Sequence, residues 1–203
     1  MLSFATGVGL AGAAGLNAYI PLIVMGLLAR FTSIVTIPDQ WSWLTNEWLL
    51  GGLAVLLVVE MIADKIPAVD SVNDIVQTVV RPGSGGIVFG AGSASQTLAV
   101  DDPSDVLAVE RWVPVLIGVA IALCLHLVKS AARPVINIMT LGTGGIVAST
   151  VEDGASLGLV LLALVVPVLA AVLLVVLTVL LVRWVLRRRR RPAPVAQSAR
   201  LAP

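Results

Sequence analysis

Trp48-Leu-Leu-Gly-Gly-Leu-Ala-Val-Leu-Leu-Val-Val-Glu60-Met-Ile-Ala-Asp64-Lys65 is the stretch whose reading decides the fold. Its length suits a helix crossing a bilayer, which needs roughly 20 mostly apolar residues. Yet it closes on two carboxylates and an ammonium. Ionisable side chains at such depth are costly and face a bundle interior or a watery cavity, so they point to the candidate site as well as to the fold. Glu60 and Asp64 stand one helical turn apart on one face, where two like charges repel unless a cation or a proton compensates them.

The rest of the chain fits the same solvent. Hydrophobic residues make up 58% of it, charged residues only 12%, and the mean hydropathy is +1.02, whereas about a quarter of a soluble domain is charged. Within 203 residues, several spans leave no room for a soluble catalytic domain. The reading is therefore an all-α, polytopic membrane helical bundle. Apolar runs at about Phe4–Ala29, Trp48–Ile66, Gly85–Val100, Trp112–Val128, Val135–Val151 and Leu157–Leu186 give about six membrane segments. Pro67 ends the second, Arg81-Pro82-Gly83-Ser84-Gly85-Gly86 opens the third, and Arg133-Pro134 with Gly142-Thr143-Gly144-Gly145 interrupts the fifth, so some segments are expected to be broken or re-entrant. One transmembrane helical domain over residues 1–186 is followed by a basic juxtamembrane run and a disordered cytoplasmic tail over 187–203.

Orientation follows from lysine and arginine. The run Arg187–Arg191 marks the cytoplasmic side, and six crossings then put both termini on the cytoplasmic side of the cell's inner (plasma) membrane. Lys65, Arg81, Lys129 and Arg133 fall at inner ends or loops, while the predicted outer side holds only Arg30 and Arg111 beside many acidic residues. The small residues Gly7, Ala11, Gly15 and Ala18 recur at helical spacing and would let another helix approach closely. Gly7-Val-Gly9-Leu-Ala-Gly12 fits a dinucleotide fingerprint, but no strand precedes it and no βαβ unit follows. The arginine run beside a span is a topology signal that attracts anionic lipid, not a nucleic-acid patch. Cys124 is the single cysteine, so a disulfide framework is excluded.

A second charged group answers the first. His126, Lys129 and Arg133 follow helical spacing, with Asn137 one turn further on, and form a basic and hydrogen-bonding stripe near the same predicted membrane side as Glu60 and Asp64. Charges in low dielectric persist when paired, so the two stripes are expected to meet. Candidate substrate- or ion-binding residues are Asn17, Glu60, Asp64, Lys65, Lys129, Arg133, Glu152 and Asp153, with Asp70, Asp74, Arg81, His126 and Asn137 as secondary candidates. The carboxylates suit a proton or cation, and Lys129 with Arg133 suits an anionic group, since a guanidinium binds phosphate or carboxylate bidentately.

Several of these strings together resemble a known family. Gly15-Leu-Asn17-Ala-Tyr19-Ile-Pro21-Leu, Glu60-Met-Ile-Ala-Asp64-Lys65-Ile-Pro67-Ala-Val-Asp70, Asp74, Arg81-Pro82, His126-Leu-Val-Lys129, Arg133, Asn137 and Ser149-Thr-Val-Glu152-Asp153 resemble a bacterial integral-membrane family classed as domain of unknown function 4126. The resemblance spans about Gly7–Asp153 and implies a compact integral membrane protein without assigning a reaction. The expected function is a small transporter or flippase-like protein, proton- or cation-coupled, handling an anionic lipid or small anionic solute. A passive ion channel and a non-transport assembly partner are the alternatives. An intramembrane enzyme ranks last, because no nucleophile, base and orienting group stand together. No cofactor and no nucleic acid is expected, the identity of any metal is left open, and the partners are the bilayer and a further copy of the chain.

Overall fold

The computed structural model describes residues 1–100, 112–140 and 144–189, apart from the side chains of Pro67, Ala68, Asp70, Ser71 and Arg189. The acidic loop expected around Asp101–Asp105 and the tail 192–203 lie outside the described residues. Among these residues there are seven α-helices: α1 (Leu2–Leu16), α2 (Tyr19–Phe31), α3 (Glu47–Ala63), α4 (Pro67–Ser93), α5 (Trp112–Met139), α6 (Gly144–Val165) and α7 (Pro167–Arg189), with a short 3-10 helix at Asp39–Thr45. Three of them, α5, α6 and α7, are long and apolar enough to cross a membrane, and the 3-10 helix with α3 forms a fourth candidate bent by 58°.

The helix directions follow from who touches whom. Phe4 stacks edge-on against Phe89 with ring centroids 5.6 Å apart, while at the other end of α1 Arg81 reaches the Gly15 carbonyl. Thus α1 and α4 are antiparallel. Leu10 of α1 and Met25 of α2 both pack at Gly92, and Gly26 lies against Leu44 and Leu50. So α2 turns back to the end of the bundle from which α1 came. The single span expected over Phe4–Ala29 is instead a hairpin of two half-length helices of 15 and 13 residues. At 1.5 Å per residue each is about 20 Å long, short of the ~30 Å hydrocarbon core.

Asn17 makes the break. It leaves α1 with extended backbone at φ −141° and ψ 126°, and its side-chain oxygen accepts from the Tyr19 and Ile20 amides at 3.0 and 3.1 Å, capping α2. Pro21 sits in the first turn of α2, where its missing N–H costs nothing.

The remaining helices run up and down around this hairpin. On α5, Gly118 meets Gly85 and Val115 meets Gly86, whereas His126 meets Thr78, so α5 is antiparallel to α4. Ser156 of α6 donates to the Ala13 carbonyl at 3.0 Å while Ala163 touches Gly9, giving α6 the reverse direction to α1. After Val166 the chain reverses, with Ala170 at Gly9 and Leu174 at Gly12, and α7 ends beside Leu127 and Ala131. Met1 and Arg188 therefore lie at opposite ends of the bundle. The cause is the hairpin, which reverses the chain once more than a single span would.

Helix α1 is central because it is narrow. Gly7, Ala11, Gly15 and Ala18 are all buried, and Leu174, Ala163, Leu125 and Phe89 press against its glycines. The α4–α5 seam is of the same kind: a Cβ on Gly118 would run into the Gly85 carbonyl and the Phe89 side chain. Gly118→Val is expected to force these helices apart and lower stability by about 1–3 kcal/mol, read as earlier thermal unfolding in detergent.

Helix α4 is amphipathic the wrong way round for water. Val72, Ile75, Val76 and Val79 are exposed, while Gln77, Arg81 and Ser84 are buried. Apolar outside and polar inside suits a lipid surround. Pro82 and Pro134 lie inside α4 and α5, which continue through them, so the breaks expected at Arg81-Pro82 and Arg133-Pro134 do not occur. The run Leu157–Leu186 divides instead at Val166-Pro167, with Pro167 opening α7.

Candidate functional site

Four side chains donate to carbonyls at and beside the hairpin tip, of which that of Ala13 also accepts the Asn17 amide at the C-terminal end of α1. Arg81 Nη1 donates to the Gly15 carbonyl at 3.4 Å, Lys129 Nζ to Leu16 at 3.2 Å, Ser84 Oγ to Ala18 at 2.5 Å, and Ser156 Oγ to Ala13 at 3.0 Å. Orphan carbonyls at a helix C-terminus carry partial negative charge, so two cations settle there for an electrostatic as well as a hydrogen-bonding reason. On the other side of the tip, Asn17 Nδ2 donates to Asp153 Oδ1 at 2.9 Å. The tip is thus held by α4, α5 and α6 at once.

Around it the two charged stripes meet as the sequence predicts. Arg81 Nη2 lies 2.8 Å from Glu60 Oε1 and 3.9 Å from Asp64 Oδ2. Asp64 Oδ2 also receives Arg133 at 3.0 Å and Lys129 at 3.7 Å, making this one oxygen the hub of three cations. Glu152 Oε2 binds Lys129 at 2.7 Å and Arg133 at 3.4 Å. Asn73 Nδ2 completes Asp64 through Oδ1 at 2.7 Å. Arg81 and Glu60 are sealed from solvent, with side chains 0% and 1% exposed, whereas Glu152 is the most open member at 17%.

The geometry explains why the sequence carries these residues. Asn73, Gln77, Arg81 and Ser84 recur every three or four positions and so line one face of α4, as His126, Lys129 and Arg133 line one face of α5. Arg81, a secondary candidate expected at the cytoplasmic edge, is the most deeply buried cation. His126 is buried too, with Nε2 3.0 Å from Thr78 Oγ1 and Nδ1 3.5 Å from Arg81 Nη1. Sequence reading passed over Asn73, Thr78, Gln77, Ser84 and Ser156, although the polar period along residues 73–84 was the available signal.

Two candidates stand elsewhere, and a third is not described. Lys65 lies past the end of α3, and its ammonium turns back to the Met61 carbonyl at 3.0 Å, an exposed contact outside the charged layer. Asn137 packs beside Gly145, with its Oδ1 buried and without a hydrogen-bond partner among the described residues. The Asp70 side chain lies outside the described residues. Asp74 and Asp153 border the layer, each with one buried carboxylate oxygen that has no hydrogen-bond partner among the described residues, as is also true of Glu60 Oε2 and Arg81 Nε.

The charge balance is uneven. Among the described side chains, Glu60, Asp64 and Glu152 match Arg81, Lys129 and Arg133 one for one, and Asp74 and Asp153 stand in excess. Those two carboxylates must be neutral or hold a cation if the layer is to sit in low dielectric. The expected anion site at Lys129 and Arg133 is occupied, since both groups are already engaged by Asp64 and Glu152. Among the described residues no cluster of His, Cys, Asp and Glu is arranged to hold a metal ion.

The chain belongs to the family described as Domain of unknown function (DUF4126), whose profile matches residues 4–188 and so takes in α7 as well as the charged layer. No curated protein and no solved structure matches the chain.

Proposed function

We propose that the protein is a small carrier or flippase-like transporter of the bacterial inner membrane, coupled to protons and acting on an anionic lipid or solute. In this reading α3 to α7 cross the bilayer and α1–α2 is a re-entrant hairpin, six membrane-inserted elements in all. Arg183, Arg187 and Arg188 lie near the end of α7, and Lys65 lies at the end of α3 that meets the same region, against Arg30 at the opposite end. The positive-inside rule then puts the tail in the cytoplasm and Met1 outside.

The observation that carries the function is the hairpin tip set into the charged layer. Irregular backbone at membrane depth is tolerated where it is buried in protein or lines a cavity, and half-helix ends at that level bind ions and charged substrate groups in carriers. Carboxylates in excess over cations add a place for a proton. A proton arriving at Glu60 or Asp64 would weaken the ion pairs that tie α3 to α4 and α5, which is the kind of differential interaction that shifts a two-state bundle.

The test uses the full chain in proteoliposomes with an imposed pH gradient, following labelled sulfate inside and fluorescent phosphatidylglycerol between leaflets. Glu60→Gln and Asp64→Asn keep shape while removing the exchangeable charge. Flux per folded protein is expected to lose its response to the gradient in both. Full gradient-driven flux in both variants would return these residues to a purely structural role. That second reading, an ion-pair network that only fastens helices together, draws support from one fact: Arg81, Lys129 and Arg133 each already have a carboxylate within 3.0 Å.

A further inference from the structure

The charged layer uses one face of α5, and the opposite face opens on a groove. Leu127, Val128 and Ala131 of α5 and Val182, Val185 and Leu186 of α7 enclose about 250 Å³ between the two helices. Val185 is buried at its floor, while Leu127 and Leu186, each about half exposed, form its rims. All six side chains are apolar, so the groove offers a guest hydrocarbon contact and no side-chain hydrogen bond. At 100° per residue, positions 127, 128 and 131 fall on the other side of α5 from His126, Lys129 and Arg133. A molecule seated in this groove is therefore separated from the ion pairs by the body of α5.

Along α7 the groove ends where the arginines begin. Val182 precedes Arg187 by a turn and a half, about 8 Å along the axis at 1.5 Å per residue. Arg183 and Arg187 stand four positions apart on one face, and both are exposed. Arg188 lies over the Trp184 ring, its guanidinium carbon 5.9 Å from the centroid, and a tryptophan at a helix end sits at the headgroup level. Among the described residues none of these three arginines has a carboxylate within ion-pair distance. The sequence continues with Arg189, Arg190 and Arg191, so the positive charge at this end of the helix is not offset by acidic neighbours in the chain.

We infer that the α5–α7 groove is a binding site for an anionic phospholipid, with one acyl chain along Leu127, Val128, Val182 and Val185 and the phosphate on Arg183, Arg187 and Arg188. The two halves of the site select one molecule. A soluble anion satisfies the arginines and leaves the groove empty, whereas a phospholipid with a choline headgroup fills the groove and brings a further cation to a cluster of guanidinium groups. A guanidinium takes phosphate oxygens bidentately, and basic pockets between membrane helices recognise anionic headgroups. The lipid held here is a retained one and not a transported substrate, because its chain lies behind α5 and away from Glu60, Asp64 and Lys129. It ties α7 to the back of the helix that carries Lys129 and Arg133. The inference goes beyond the carrier reading and does not depend on it.

The purified full chain in detergent is titrated with phosphatidylglycerol and with phosphatidylcholine of the same acyl chains, and bound lipid is counted by native mass spectrometry. The first phosphatidylglycerol should bind at least about tenfold more tightly than the first phosphatidylcholine, since each basic residue near a membrane surface adds several-fold in affinity for anionic lipid. The triple variant Arg183→Gln/Arg187→Gln/Arg188→Gln should lose that preference by at least about fivefold. Val182→Phe, which fills the groove and keeps the arginines, should weaken the first phosphatidylglycerol by a similar factor. A second measurement needs no variant: phosphatidylglycerol with a diazirine in one acyl chain is photolysed with the wild type in detergent. Adducts should map to residues 127–131 and 182–186 in preference to the exposed Val72, Ile75, Val76 and Val79 of α4, and unlabelled phosphatidylglycerol but not phosphatidylcholine should compete them away. Equal affinity for the two lipids, an unchanged preference in the folded triple variant, unchanged affinity in folded Val182→Phe, or adducts spread evenly onto α4 would overturn the site. Unlabelled groove residues in a protein that sediments as a dimer would assign the groove to a second copy of the chain and overturn it equally.

Discussion

Arg81→Met is expected to destabilise the protein by about 3–5 kcal/mol, because it removes one partner of a sealed ion pair and leaves Glu60 as an uncompensated buried charge. The loss has a second part. Arg81 also serves the Gly15 carbonyl at the hairpin tip, and methionine offers it no donor. Glu60→Gln alone should cost less, since Arg81 retains Asp64 at 3.9 Å. The double variant Glu60→Gln/Arg81→Met should then cost clearly less than the sum of the two, with a coupling in the range of 0.5–3 kcal/mol found for residues in contact. Unfolding in mixed micelles, followed through tryptophan fluorescence, gives all three numbers. Strict additivity would mean that Glu60 and Arg81 do not meet.

The charged layer was legible in the sequence to the extent that charge in an apolar chain stands out. Glu60 and Asp64 one turn apart, and Lys129 and Arg133 one turn apart, called for partners; Asp64 meets both cations, whereas Glu60 pairs with Arg81. The place of Arg81 was not legible, for a reason that lies in how hydropathy is read. A window average falls wherever one face of a helix carries polar groups, so Asn73, Asp74, Gln77 and Arg81 made the first half of α4 look like a loop and put the expected segment start at Gly85. The exposed valines and isoleucines between them show it to be a helix with its polar face inward. The same averaging ended a segment at Val128, just where Lys129 and Arg133 turn into the bundle.

Turns were hidden by the opposite effect. Leu16-Asn17-Ala18 and Val166-Pro167 interrupt helices without interrupting hydrophobicity, so a window runs across them. Two local signals remained available: Asn17 alone in an apolar run with Pro21 four residues on, and an apolar run at Leu157–Leu186 too long for one span of roughly 20 residues, with Pro167 inside it. Prolines at positions 82 and 134 misled in turn. Neighbouring helices can accommodate the backbone groups that proline frees in a membrane helix, so there it need not mark an end.

The fold of the first apolar run carries the account, because a hairpin, unlike a span, brings orphan backbone to the level of the charges and reverses the direction of the chain. The consequence is all-or-none and concerns the two termini. In a variant with Cys124 replaced by alanine, a single cysteine at the exposed Leu2 or at Ser198 is treated with a membrane-impermeant maleimide on intact and on permeabilised cells. If α1–α2 enters and leaves by one face and α3 to α7 each cross, the cysteine at position 2 labels in intact cells and the one at position 198 only after permeabilisation. Labelling of both positions under the same condition would contradict the hairpin as a re-entrant element and restore the first run as a span.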